Sequence, residues 1–219
     1  METIAAFLPI LLPVAVALLY AIGFVLDQVQ AGQRSRRLFA ALNDSARGAP
    51  QARHGPGRRG FLADIQPPPE PFARATVEHR IRQPLNPWAW LFPATVVRRE
   101  FLLIRATLPT PPRQELIWLR HGTPATALGL EPGSALWTLH NLDFIAGEYA
   151  TRGDNTNGVR HGLSELQTRL GPWLDEVTVW HDPAHAEHVR LIVRTAPLTM
   201  ADVPILVNLV RGLGRAALF

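Results

Sequence analysis

The densest set of potential ligands in the chain is the run HDPAHAEH, which places His181, Asp182, His185 and His188 within eight residues. Imidazole nitrogens at these spacings, those of His181, His185 and His188 above all, can meet around zinc or nickel if the loop that carries them curls over the ion. The same run also reads as a polar loop tip with solvated histidines, and ligands drawn from one loop lack the rigid support that metal sites normally have. A second group, Glu148 and Asp154 with His140 and His161, has the residue types for general acid–base work if a fold brings them into hydrogen-bond reach. Ser134 and Ser164 lack the G-x-S-x-G context of an activated serine. Arg152-Gly153-Asp154 spells an adhesion tripeptide, but a strand-to-helix turn capped by Asp154 or Asn155 accounts for it fully. No residue is assigned a catalytic role.

Absences narrow the chemistry further. The chain has no cysteine, which removes disulfides, thiolate metal sites and cysteine nucleophiles. All 22 basic residues are arginine. A P-loop needs lysine at its phosphate end, and Schiff-base chemistry needs a lysine amine, so both classes are excluded. No dinucleotide fingerprint is present, and no cofactor is expected.

The basic pI of about 10.8 does not describe the whole chain. Residues 34–60 hold seven arginines, Arg34, Arg36, Arg37, Arg47, Arg53, Arg58 and Arg59, against one acid, Asp44, whereas residues 61–219 hold 15 arginines and 15 acids. A nucleic-acid-binding domain concentrates positive charge on its fold. Here the charge follows an apolar run, so these seven arginines are expected to meet anionic lipid headgroups, with no nucleic-acid partner.

That run is Ile4–Leu26, 23 residues with no charged side chain. As a helix it is about 35 Å long, enough to cross a hydrocarbon core of about 30 Å with some tilt. A cleaved signal peptide is the main rival, because Val29-Gln30-Ala31 fits a small-residue cleavage rule, but the run lacks a basic n-region and exceeds the usual h-region. A soluble core helix would show a polar stripe. With arginines only on the carboxy-terminal flank, the amino terminus is expected outside and the following domain in the cytoplasm of a single-pass membrane protein.

Four segments are expected: residues 1–30 as the transmembrane anchor, 31–75 as a basic and Pro-rich linker, 76–97 as a Trp-rich flap, and 98–219 as the folded domain. Within the linker, residues 33–46 could continue the span as a helix with Leu38, Phe39, Ala41 and Leu42 at the interface, and QPPPEP at 66–71 reads as a stiff spacer. Trp88, Trp90 and Phe92 mark the flap, read either as packed on the domain or as dipping into the headgroup region. Strands are expected at 100–108, 115–120, 135–139 and 143–152, followed by a helix over 157–170. A hairpin over 177–182 and 188–196 comes next, then a terminal helix after Thr199. Strands and helices segregate, which gives an α+β fold with a mainly antiparallel sheet and two helices on one face.

The run Phe144-Ile145-Ala146-Gly147-Glu148-Tyr149 leading into Arg152-Gly153-Asp154-Asn155, behind a basic-flanked span, resembles uncharacterised bacterial membrane-anchored proteins. That resemblance implies a membrane-attached domain and carries no activity. The stretch Glu115–Arg120, Gly122-Thr123-Pro124-Ala125 and Gly129-Leu130-Glu131-Pro132-Gly133 also resembles the outline of a PDZ domain, with Ser134 where aspartate is usual. The expected function is a non-enzymatic interaction or scaffold domain at the inner leaflet, partnered by the bilayer, its anionic headgroups and another protein. The alternative is a metal-binding protein or enzyme acting through the His181–His188 loop.

Overall fold

The first helix has two surfaces in succession, one exposed and apolar, the other packed on the sheet. In the computed structural model, which describes residues 2–45, 49–82, 99–121, 137–141, 148–181, 186–195 and 198–219, helix α1 runs Glu2–Ser45. Leu12, Val14, Leu18, Leu19, Ile22, Phe24, Val25 and Leu26 are all exposed on it. An apolar surface on every side of a helix is stable only away from water, and α1 is long and apolar enough to cross a membrane. Past Leu26 the pattern changes: Ala31, Ser35, Leu38 and Leu42 are buried at spacings of 4, 3 and 4, one face of a 3.6-residue period. Leu38 and Leu42 join the same core cluster as the sheet.

Among the described residues, nine antiparallel strands form one sheet in the order β1-β2-β3-β4-β9-β8-β5-β7-β6. They are β1 (Ala49–Gly57), β2 (Gly60–Gln66), β3 (Arg74–Arg82), β4 (Arg99–Thr107), β5 (Glu115–Leu119), β6 (Thr138–Asn141), β7 (Glu148–Arg152), β8 (Leu174–Val179) and β9 (Val189–Arg194). Two further helices, α2 (Asn157–Leu170) and α3 (Asp202–Leu218), pack with α1 on the core side. The fold is α+β, as expected, but among the described residues three helices rather than two contribute to the core.

The linker expected at 31–75 is corrected. Its first part is the buried half of α1, and β1, β2 and most of β3 occupy the rest. β1 is an edge strand, exposed or half-exposed along its length, so it needs no apolar residues and tolerates Pro50 and Pro56. Its register with β2 shifts between Ala52 and His54 and again between His54 and Gly57, which hides any period-two pattern. β2 does alternate, with Phe61, Ala63 and Ile65 buried. The domain therefore starts inside α1, not near residue 98. The flap expected over 76–97 is likewise displaced by β3 up to Arg82; Trp88, Trp90 and Phe92 lie outside the described residues.

Later elements agree better with the sequence. α2 has the expected limits and buries Val159, Leu163, Leu166 and Leu170. β8 and β9 form the expected hairpin, Val179 facing Val189. α3, the expected terminal helix, buries Val203, Leu206, Val207, Val210, Leu213 and Ala217 on one face. Thr199 does not cap it by its side chain; instead its N–H and hydroxyl both donate to Asp202 Oδ2 at 2.7 Å. Of the strands expected at 135–139 and 143–152, the described parts are β6 and β7.

Opposite the helices, much of the sheet face is laced with ion pairs. Arg105 lies 3.7 Å from Glu78 and 3.5 Å from Glu187, Arg190 is 3.2 Å from Glu176, and Asp175 takes both Arg120 and Arg194. Each such pair contributes little alone, about 0–1 kcal/mol.

Candidate functional site

The register of the central strands brings a polar group to the place where α1 meets the sheet. His79 faces Leu102, Ile81 faces Glu100, and Phe101 faces Arg194. Glu100 therefore lies beside His79 and beside Thr195, whose N–H donates to the Glu100 carbonyl at 3.0 Å. Arg34, from α1, donates through Nη1 to Glu100 Oε2 at 2.8 Å, and the carboxylate side chain is 1 % exposed. The Thr195 hydroxyl reaches the same oxygen at 3.4 Å and His79 Nε2 at 3.5 Å. Arg34–Glu100 is the short, charge-assisted contact of the set, and the other two sit at the long end of hydrogen bonding.

Burial pushes the His79 imidazole down from its ordinary value to about 4; Arg34 pushes the same way and Glu100 opposes it. The ring is thus neutral near neutral pH. Glu100 Oε1, His79 Nδ1 and Ser35 Oγ are buried without a hydrogen-bond partner among the described residues. Chemically, the group is one compensated carboxylate and a neutral imidazole, shared between α1 and three strands or strand ends. It can tie α1 to the sheet.

A basic turn lies outside the same end of the sheet. The Arg59 carbonyl accepts from Ile81 N–H at 3.2 Å, and Gly60 faces Arg80. The β1–β2 turn carrying Arg58 and Arg59 is therefore level with Glu100 and Arg34. Gly60 is obligatory there: its φ is 106°, and a Cβ would stand 1.7 Å from the His79 carbonyl oxygen.

The seven arginines expected at the lipid surface separate accordingly. Arg34 is committed to Glu100. Arg53 donates to Asp64 at 2.5 Å on the outer sheet face, a contact that together with Thr76 and Arg74 holds the Asp64 carboxyl below its usual range against the effect of burial. Arg36 and Arg37 are exposed on α1, Arg58 and Arg59 are exposed at the turn, and Arg47 lies outside the described residues.

Of the histidine loop, the structure brings His181 and His188 together, ring centroids 5.5 Å apart, while Asp182 and His185 lie outside the described residues. Leu108 N–H donates to His188 Nδ1 at 3.1 Å, leaving Nε2 as the nitrogen available to a ligand. Burial and the neighbouring His181 hold the His188 ring below its usual value despite that bond. Among the described residues no three His, Asp or Glu side chains are grouped to hold a metal ion.

The second acid–base group does not assemble around its expected members. His140 Nε2 meets Thr151 Oγ1 at 2.9 Å and its ring stacks on Tyr149 at 4.8 Å, while Arg160 donates to the Tyr149 hydroxyl at 3.0 Å. His161 faces Glu165 on α2 at 3.9 Å. Gly153 takes a φ of 129° beside Gln114, whose Oε1 accepts from Asn155 N–H; neither Asp154 nor Asn155 caps α2, whose N-cap is Thr156 without a side-chain bond.

Glu100, His79 and Thr195 are the residues the sequence reading passed over. One signal was available: Ala75, Val77 and His79 occupy alternate positions of β3, so the histidine falls on the buried face. No protein-family model matches this chain, and no curated protein is similar to it.

Proposed function

We propose that this protein is a membrane-fixed interaction domain: a non-enzymatic module held at one height and one rotation relative to the bilayer, where it presents a surface to another protein. The observation that supports this reading is the continuity of α1, whose exposed apolar half and core-forming half are one unbroken helix. A flexible tether would let a domain search the cytoplasm near the membrane. A helix that passes without interruption from lipid into the core, clamped by Arg34 to buried Glu100, transmits position and orientation instead. The arginines that follow the apolar run support a cytoplasmic domain on a single-pass protein by the positive-inside rule.

Two measurements test it. Membranes carrying the full chain should retain it through alkaline carbonate washing, and release into the supernatant overturns the anchor. A reporter enzyme active only outside the cytoplasm, fused after Phe219, should stay silent; activity reverses the orientation.

The His181–His188 ring pair favours a second reading, metal binding at the hairpin loop. Stoichiometric zinc in the purified protein, lost on replacing His181, His185 and His188, would establish it; metal-free protein of unchanged fold removes it.

A further inference from the structure

Two facts fix the height of the β1–β2 turn relative to the bilayer. Along α1, Arg34 lies eight residues past Leu26, on the order of 12 Å at 1.5 Å per residue. Across the sheet, Arg34 bonds Glu100, Glu100 faces Ile81, and Ile81 bonds the Arg59 carbonyl. The direction follows from the other end of the hairpin: α1 finishes at Ser45, β1 begins at Ala49, and Ala49 faces Gln66. The Gln66 end is thus distal to the span and the Gly57–Gly60 end is proximal to it. Phe39 packing edge-on against Phe61 at 5.3 Å fixes the same alignment.

At this proximal end an open cavity of about 610 Å³ is lined by His54, Arg58, Arg59, Leu62 and Arg80, among others. Arg80 is answered by Glu78. Arg58 and Arg59 have no carboxylate partner among the described residues, unlike the arginines of the outer sheet face. We infer that this turn is a headgroup site: Arg58 and Arg59 bind the phosphates of anionic lipid in the bilayer that α1 crosses, giving the domain a second point of membrane contact. The inference rests on the anchor reading and adds to it a specific ligand class and place. A height of about 12 Å from the apolar run, less the reach of two arginine side chains, falls within the headgroup layer or a Debye length of it. A two-point attachment also fixes the rotation of the domain about α1, which a single helix leaves free.

The full chain in lipid nanodiscs provides the test. The sequence has no cysteine, and a Cβ at Gly55 meets nothing within 4 Å, so Gly55→Cys accepts a single fluorophore beside the cavity. With a quencher on the lipid headgroups, that probe should be quenched more in discs containing phosphatidylglycerol than in discs of phosphatidylcholine alone. A probe at Ala49→Cys, on the distal end, should be unaffected by either. Replacing Arg58 and Arg59 by glutamate should abolish the preference, each arginine contributing on the order of fivefold in occupancy. Equal quenching in both lipids, or a preference that survives the double replacement, overturns the headgroup site. A chain that does not enter the discs overturns the anchor itself, so the two failures are distinguishable.

Discussion

At the scale of single residues, the Arg34–Glu100 contact and His79 set how the domain responds to mutation and to acid. Removing Arg34 leaves a 1 % exposed carboxylate without its cation. Breaking a buried pair costs about 3–5 kcal/mol; because Arg34 itself is 37 % exposed, water screens part of that. Arg34→Ala should therefore destabilise by roughly 2–3 kcal/mol, read as a lowered melting temperature in detergent. Arg34→Ala with Glu100→Gln should recover part of the loss, since no uncompensated charge then remains. His79 acts in the opposite sense to a partnered histidine. Its folded value of about 4 lies below the ordinary 6.5, so the unfolded chain binds the proton more readily. Stability is complete above pH 6.5 and falls as the pH drops toward 4, by roughly 3 kcal/mol at most. His140 and His188 are shifted the same way and titrate in any variant that keeps them. The difference between wild type and His79→Phe therefore isolates His79: the variant should lose less melting temperature between pH 7 and pH 4.5. Equal losses would mean that His79 is accessible and titrates normally.

Among the elements, α1 decides between a tethered domain and a fixed one. Leu38 and Leu42 are each 1 % exposed, and truncating such a side chain typically costs 2–5 kcal/mol. Leu38→Ala and Leu42→Ala should each destabilise by about that amount, whereas in a linker or a lipid-surface helix either change would alter the melting temperature little. The sequence held part of this information. Leu38, Phe39, Ala41 and Leu42 are legible as an apolar face, but an interfacial helix and a core helix show the same periodicity, and only tertiary contact separates them. β1 was illegible for a different reason: an exposed, bulged edge strand carrying two prolines has the composition of a loop, and it is held by hydrogen bonds to β2 rather than by buried side chains. By contrast α2, α3 and the β8–β9 hairpin each bury one clean stripe, and their period survives in the sequence. The polar group at α1 was hidden because its members are far apart in the chain; no local spacing connects Arg34 to Glu100 or either to Thr195. Gly60 tests the turn between β1 and β2 on the same scale. Gly60→Ala forces a left-handed φ on a side chain that also collides with the His79 carbonyl. It should destabilise by about 1–3 kcal/mol and, in the nanodisc experiment, reduce lipid-dependent quenching along with stability.

For the whole molecule, the question is where the folded unit begins, and two truncations answer it. A chain starting at Asp27 lacks the exposed apolar surface of α1 but keeps Ala31, Leu38 and Leu42 in the core and Arg34 on Glu100. A chain starting at Ala46 loses all of these, exposes the faces of β2 and α3 that α1 covers, and strands the Glu100 carboxylate. Two buried leucines, one ion pair and the apolar area beneath them together exceed several kcal/mol, a large share of the 5–15 kcal/mol by which domains are typically stable. The Asp27 fragment should therefore be soluble, unfold in one cooperative transition, and resist protease. The Ala46 fragment should aggregate or melt without a cooperative step. If both fragments fold with the same melting temperature, the second half of α1 contributes nothing and the domain hangs from the membrane on a tether. If only the longer one folds, the anchor and the domain are a single structural unit, and any partner meets the domain at a height and rotation set by the bilayer.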